Sequence, residues 1–510
     1  MRRVKSILEL KTYDEVLAGF SWQRLWALFD GSEARMNLAH ECIDRHRDKG
    51  TAISVKFADG RCEHYSFAQL ADQTGRFAHW LARRGVEKGD RVAVIVEPSL
   101  GFYVGMFGAM KRGAIAVPMF TLFGPEGLAL RVNDCKPKLI LVQVDPAPMR
   151  AQFPDAQIVR VDEAFWAELQ QEKNEFSWQT KSNDLALFQY TSGTTRELPD
   201  AVQHTHRSVV TLIVAALYGL GLRPGDRYFC PSSPAWGHGL AHGTLSPLAL
   251  GISTASYSGK FDAARIFEAL QEFGIDTMAA APTVFRMMRN SGMKAGSLKK
   301  ISYAGEPMDA ATMSWIEQTF GVVPASMYGT TEVGVAIVNY PGLDGYRIKP
   351  GSLGKPVPGA RMAILDADGA ELPPKQSGEI SLKRKSGWVP LKDRGYRDEE
   401  GYFYIEGRSD DVIISAGWTM SAVEIENTLL KHPAVLEAAV VAAPDALRGQ
   451  VAKAYIVAKG GADDVAGDIQ LFMKAQLSKH EYPRLVEFVA ELPKTPAGKV
   501  NRKVLRERSK

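Results

Sequence analysis

The chain has 510 residues, 45% hydrophobic and 24% charged, with 62 lysines and arginines against 58 aspartates and glutamates. At about 150 residues per domain, that length predicts roughly three domains around a large core and excludes a small disulfide-stapled protein. The average composition excludes disorder, collagen and coiled coil, and a net charge of +4 is too weak to indicate a nucleic-acid partner, so any anion site must be local.

Met1-Arg2-Arg3 resembles the start of a signal peptide, but Lys5, Glu9 and Lys11 interrupt any apolar run behind it. Ser66-Phe-Ala-Gln69 reads as a capping box, with Leu70, Phe77, Trp80 and Leu81 at helical spacing and Gly85 as the stop. The β-branched run Arg91 to Val96 predicts a strand buried on both faces, and Leu139 to Val142 predicts another, so the expected class is α/β with parallel pairing. Val92 to Phe120 is the most apolar stretch, yet Glu97, Lys111 and Arg112 break it, which predicts strand and helix and no membrane span. Cys42, Cys62, Cys135 and Cys230 have neither zinc-site nor disulfide-framework spacing, and a reducing cytoplasm fits them best.

Tyr190-Thr-Ser-Gly-Thr-Thr195 follows the apolar Leu185 to Phe188. Backbone N–H groups around its glycine and the surrounding hydroxyls could wrap phosphate oxygens, although a plain Ser/Thr turn fits the same residues. It is not a Walker A loop, because no Gly-Lys-Ser/Thr follows. His238 and His242 have a spacing also found in metal sites, but without a Glu or Cys nearby in sequence they read as pocket lining or satisfied histidines.

The last hundred residues have another texture. Ser421-Ala-Val-Glu424 is a second capping box; two apolar runs, Glu437 to Ala443 and Ala452 to Val457, are separated by a Pro-Asp and an Arg-Gly that suggest a turn. Val465, Ile469 and Phe472 recur at helical spacing, and Leu485 to Val489 reads as a strand. A separate small α+β unit is expected.

Tyr303-Ala-Gly-Glu-Pro307, Tyr328-Gly-Thr-Thr-Glu-Val-Gly334, Asp393-Arg-Gly, Gly407-Arg-Ser-Asp-Asp411 and Pro493-Lys-Thr-Pro-Ala-Gly-Lys499 occur in that order. With the 190–195 stretch they resemble the acyl-adenylate-forming family of acyl-CoA synthetases, adenylation domains and luciferases, over about Phe20 to Arg506. Ile348 to Gly354 and Gly401-Tyr-Phe are most similar to the acetyl-CoA and medium-chain acyl-CoA synthetase branch. The resemblance implies a large α/β body of several subdomains over residues 1–409 and a mobile α+β C-terminal domain over 410–510. It implies an AMP-forming acyl-CoA ligase using ATP, Mg²⁺ and CoA with a small carboxylic acid; a homodimer is compatible with it.

By the same resemblance Thr191, Ser192, Gly193, Thr194 and Thr195 hold the β- and γ-phosphates. Thr331 contacts the α-phosphate and Glu332 is an oxygen ligand for Mg²⁺. Gly305, Glu306 and Pro307 run along the nucleotide, Tyr328 stacks on adenine, and Asp393 and Arg408 bind the ribose hydroxyls. Lys499 bridges acid and phosphate, a role suited to a flexible point charge that must arrive and leave. Taken singly, Lys499 could be a solvated charge, Asp393 and Arg408 a surface pair, Tyr328 a core aromatic and Glu332 a helix cap.

Rotation of the terminal domain about Asp410 would then replace Lys499 with Gly417, which leaves room for the pantetheine chain or is an ordinary turn glycine. Lys474, and less surely Arg448, could meet CoA phosphates. Acetyl-specific relatives carry a tryptophan where this chain has Gly329. Its absence should lengthen the acid pocket, which Trp236, His238, Tyr303 and Ala304 match or neighbour, favouring a medium-chain, branched or aromatic acid over acetate. His238 or Tyr303 could recognise a substrate hydroxyl.

Several positions depart from the family pattern. Arg196 to Asp200 replace the usual Gly-x-Pro-Lys, Leu391-Lys392 stand for Thr-Gly, Thr419 for Arg or Asn, and the 379–393 segment is short enough to remove a surface hairpin. The alternatives to a CoA ligase are an enzyme that loads a carrier-protein thiol and a degenerate nucleotide or acyl-adenylate binder.

Overall fold

The computed structural model describes residues 5–121, 123, 125–190, 201–293, 296, 298–330, 333–408, 413–415, 418–420, 422–445, 449–459, 462–476, 483–495 and 499–509. Among these, four sheets form. One runs in the order Gln157–Arg160, Leu139–Val142, Arg91–Ile95, Ile115–Pro118, Leu185–Gln189 and Val202–Thr205, parallel throughout except for the last pair. Its central strands are continuous apolar runs because helices cover both faces.

The longest sheet has the order Lys355–Pro356, Gly334–Val338, Ala325–Thr330, Lys300–Ala304, Thr277–Ala280, Tyr228–Phe229, Thr254–Ser258, Thr51–Phe57 and Cys62–Ser66. Its middle is parallel and both margins are antiparallel.

The helix Leu100–Arg112 lies between these two sheets, and every residue from Gly101 to Lys111 is buried. Apart from Lys111, whose ammonium donates to Asp44 Oδ1 at 2.6 Å, its buried residues are apolar, as a helix covered on every side requires. On one side the Tyr103 hydroxyl is 2.8 Å from Ser256 Oγ of the long sheet. On the other, a Cβ at Gly105 would stand 2.7 Å from Leu141 Cδ1, so only glycine lets the helix approach the shorter sheet this closely. The helix Phe67–Arg83 packs alongside, its Ser66 side chain accepting from Gln69 N–H and its Leu70, Phe77, Trp80 and Leu81 buried, as the spacing predicts. Fully burying each such side chain contributes about 1.5–3 kcal/mol.

The third sheet is antiparallel: Met362–Leu365, Gly378–Arg384, Gly387–Arg397 and Phe403–Arg408. The short 379–393 segment is therefore itself a hairpin, closed where Arg384 faces Gly387.

The next described strand, Ile413–Ser415, belongs to the fourth sheet. There Val435–Asp445 and Gly449–Ala458 form a hairpin, Leu485–Phe488 adds in parallel, and the helices Ala422–Leu429 and Ala462–Gln476 cover a separate core that includes Ile425, Leu429, Val440, Ile456 and Ile469. Pro444 and Asp445 do not turn: Pro444 extends the strand opposite Gln450, near the hairpin end where its missing N–H is tolerated. Ser421 lies outside the described residues. Among those described, no helix is long and apolar enough to cross a membrane.

Candidate active site

The strands Lys300–Ala304 and Ala325–Thr330 lie side by side in parallel, with Tyr303 opposite Ser326 and Ala304 opposite Met327. Ligands of open α/β sheets bind beyond such carboxyl ends. Just past Ala304 the chain bends at Gly305, whose φ of +99° favours glycine. Glu306 is anchored there: its Oε1 accepts from Thr283 N–H at 2.8 Å, from Thr283 Oγ1 at 2.5 Å and from Arg286 Nη2 at 2.7 Å. Arg289 reaches Asp309 at 3.2 Å. These bonds tie the Gly305-Glu306-Pro307 bend to the helix Pro282–Asn290, so the Glu306 carboxylate serves first as an anchor.

Lys499 comes to this bend from the C-terminal unit. A Cβ added at Gly305 would lie 3.3 Å from both its Cε and its Nζ. The lysine is presented by an isolated bridge between Lys494 and Val500, with Thr495 N–H donating to the Lys499 carbonyl at 2.6 Å. Behind it, Arg502 Nη2 donates to both oxygens of Glu426, at 2.7 and 2.6 Å, bracing the segment on the helix Ala422–Leu429. Lys499 keeps an exposed surface, but the protein around its ammonium lowers its pKa by desolvation, against the attraction of Glu306. A cation short of solvent, with a carboxylate nearby but not in contact, is poised to take an anionic ligand.

Tyr328 and Asp393 meet directly: the buried phenol donates to Asp393 Oδ2 at 2.6 Å. Asp393 faces Arg408 across the antiparallel pair, so the two residues expected at the ribose share one register position. Lys392, immediately before Asp393, has φ +61°. The glycine usual there would adopt this conformation without strain, whereas lysine pays about 1–2 kcal/mol. Gly329 sits at a register shift, where a Cβ would be 2.0 Å from the Gly334 carbonyl oxygen. Contact with the neighbouring strand thus requires glycine here, independently of any effect on the acid pocket.

Trp236 and His238 stand at the start of a π-helix, His238–Leu245, a geometry frequent at functional sites. Trp236 packs on Phe120 and Phe123, with ring centroids 5.1 and 5.6 Å away. Both phenylalanines follow the strand Ile115–Pro118, and a Cβ at Gly237 would stand 2.4 Å from Nε2 of Gln189, which ends Leu185–Gln189. The carboxyl ends of the shorter sheet therefore also converge here. His238 Nδ1 lies 3.3 Å from Ser232 Oγ and 3.5 Å from Cys230 Sγ. Among the described residues its Nε2 and His242 Nδ1, both buried, have no hydrogen-bond partner, which departs from the satisfied-histidine reading and leaves that of pocket lining. Burial pushes their pKa values down to about 3 and about 4, with His242 and Lys499 adding to the effect on His238. Burial also pushes the Tyr303 phenol up to about 12.

Thr191, Ser192, Gly193, Thr194, Thr195, Thr331, Glu332, Asp410 and Gly417 lie outside the described residues, as do Arg196 to Asp200 and Arg448. Lys474 is on the exposed side of the helix Ala462–Gln476, and Thr419 is in the strand Trp418–Met420. Among the described residues no cluster of three or more His, Cys, Asp or Glu could hold a metal ion. A cavity of about 630 Å³ between Asp30, His40, Lys111 and Trp178 includes none of the residues above. Sequence reasoning missed Phe120, Phe123, Arg286 and Gln189; the position of Phe120 and Gln189 at apolar strand ends was the available signal.

Residues 40–387 match the AMP-binding enzyme family and residues 424–499 its C-terminal domain. The chain is 32% identical to acetyl-coenzyme A synthetase of Bacillus subtilis, covering 98% of this chain and 95% of the relative. It is 30% identical to 4-hydroxybutyrate–CoA ligase 1 of Metallosphaera sedula, with 91% and 88% covered. The crystal structure of the Brucella canis acyl-CoA synthetase superimposes with a TM-score of 0.76 at 30% identity, covering 98% of this chain and 99% of that one.

Proposed function

The chain belongs to the AMP-binding enzyme family, and from that premise we propose that it is an AMP-forming acyl-CoA ligase: a carboxylic acid and ATP give acyl-AMP and pyrophosphate, then CoA gives acyl-CoA and AMP. The observation that carries this reading is the position of Lys499, borne by the C-terminal unit yet seated at Gly305. Two anions must meet in line at the α-phosphorus, so a cation held at the meeting point lowers the barrier by neutralising and orienting both.

In this reading Lys499 Nζ bridges the acid carboxylate and the α-phosphate. Gly305, Glu306 and Pro307 form a rigid edge along the nucleotide, with Glu306 fixed by Arg286. Tyr328 orients Asp393 toward the ribose hydroxyls and presents its ring to adenine, while Arg408 lies across from Asp393. Thr191 to Thr195 and Thr331 take the phosphates. Glu332 is the carboxylate that would hold Mg²⁺, which would serve as counter-ion of the substrate triphosphate.

The unit from Asp410 onward then turns, withdrawing Lys499 and bringing Gly417 to the pantetheine path, with Lys474 near the CoA phosphates. Trp236, Phe120 and Phe123 supply an apolar wall for a medium-chain, branched or aromatic acid. The four cysteines, all free, suit the cytoplasm.

The test is pyrophosphate release over a panel of short, branched, medium-chain and aromatic acids, with and without CoA. Acid-dependent release coupled to thioester formation is expected. Release without any CoA thioester would instead assign a carrier-loading enzyme, and ATP binding with no release would assign a binder.

A further inference from the structure

We propose that His238 and His242 read an uncharged hydrogen-bonding substituent on the acid, so that the preferred substrate is a hydroxy-substituted acid and not its unsubstituted parent. The inference rests on the ligase reading above and adds the substrate class.

Four observations carry it. First, His238 Nε2 and His242 Nδ1 are shut off from solvent and find no hydrogen-bond partner among the described residues. A buried nitrogen left unpaired keeps its desolvation penalty, and a ligand that completes the bond recovers it. Second, the two rings are adjacent, with centroids 5.7 Å apart on the π-helix. Third, His238 is held on its far side by Ser232 and Cys230, so its Nδ1 is engaged and its Nε2 is the atom left for a ligand. Fourth, Trp236, which packs on Phe120 and Phe123, stands two residues before His238, and the Lys499 charge acts on His238. In this proposal an acid whose carboxylate meets Lys499 directs its tail toward His238 and its neighbour His242.

The charge class follows from the groups that act on the pair. Cys230, Ser232, His242 and Lys499 face His238, and none of them is an acid that would welcome an ammonium on the substrate. Both imidazoles are neutral at physiological pH, and Lys499 is committed to the reacting carboxylate, so a second carboxylate would find no counter-charge among the described groups that act on the pair. A hydroxyl, which can donate to one neutral imidazole and accept from the other, fits both. Sites that hydrogen-bond a substrate hydroxyl discriminate strongly against the analogue lacking it, because their own polar groups are then left unpaired.

The experiment compares kcat/KM for acids matched except for one hydroxyl, such as 4-hydroxybutyrate with butyrate and 4-hydroxybenzoate with benzoate, in the full-length protein, in His238→Leu and in His242→Leu. His238→Gln, which keeps a hydrogen-bonding side chain, is the conservative control, and thermal melting verifies folding. The hydroxylated member is expected to be favoured at least tenfold in one pair. That ratio should collapse toward one in either leucine variant and persist in part in His238→Gln. Ratios near one in the unmodified protein, or a preference unchanged in both leucine variants, would overturn the inference while leaving the ligase reading intact. No pyrophosphate release with any acid would overturn both.

Discussion

Lys499 stands over Gly305, its Cε and Nζ each 3.3 Å from where a Cβ would be. The strand end and the C-terminal unit are thus fitted to each other at a residue without a side chain. Gly305→Ala would place a methyl against the lysine and impose φ +99° on a residue with a Cβ. The expected result is a fall in acid-dependent pyrophosphate release of roughly tenfold or more, at about 1–2 kcal/mol of backbone strain, measured by initial rates at saturating ATP.

Tyr328→Phe removes the phenol that donates to buried Asp393 and leaves an oxygen of that carboxylate with one partner fewer. A loss of about 1–3 kcal/mol in stability and a raised KM for ATP are expected, by urea unfolding and by steady-state kinetics. An unchanged KM would show that Asp393 is positioned without the tyrosine.

Lys392→Gly should stabilise the protein. The left-handed φ of +61° costs lysine about 1–2 kcal/mol, while glycine adds about 0.5–1 kcal/mol of unfolded-state entropy, for a net gain of up to about 1.5 kcal/mol. The bond from the Lys392 N–H to Glu379 Oε1 is retained, since it is made by the backbone. Denaturant midpoints of the two proteins test this.

His206 is fully buried, its Nδ1 accepting from Leu38 N–H at 2.9 Å, and burial pushes its pKa down from 6.5 to about 4. The unfolded imidazole takes its proton near 6.5 and the folded one only near 4, so between these values the unfolded chain holds more protons. Stability should fall as pH drops through that window, by up to about 1.4 kcal/mol per pH unit, and this contribution should level off below it. Urea unfolding from pH 7 to 4 should give a shallower slope in His206→Gln than in the unmodified protein.

Much of the fold could be read from the sequence because its signals are local. The continuous runs at Arg91 and Leu139 are strands covered on both faces, and Ser66 with the Leu70 to Leu81 stripe defines a helix by capping and period. Pro444 misled because a proline near a hairpin end looks like a turn until the partner strand is known. The site shows the same division. Lys499, Asp393 and Tyr328 were legible through ordered motifs, whereas the Tyr328–Asp393 bond, the Arg286 anchor on Glu306 and the aromatic wall at Trp236 join residues distant in sequence. The motif shows Gly329 as a missing wall, and its closeness to the Gly334 carbonyl on the paired strand is visible only in three dimensions.

The central claim is that Lys499, seated at Gly305, serves the adenylation step and leaves before thioester formation. The decisive measurement is single-turnover kinetics of Lys499→Ala in both half-reactions, acid plus ATP to acyl-AMP and supplied acyl-AMP plus CoA to acyl-CoA. Loss of one preorganised cation predicts a fall of roughly 10²–10³-fold in the first rate with the second changed only a few-fold. Equal loss in both half-reactions, or an unimpaired first step, would contradict the account.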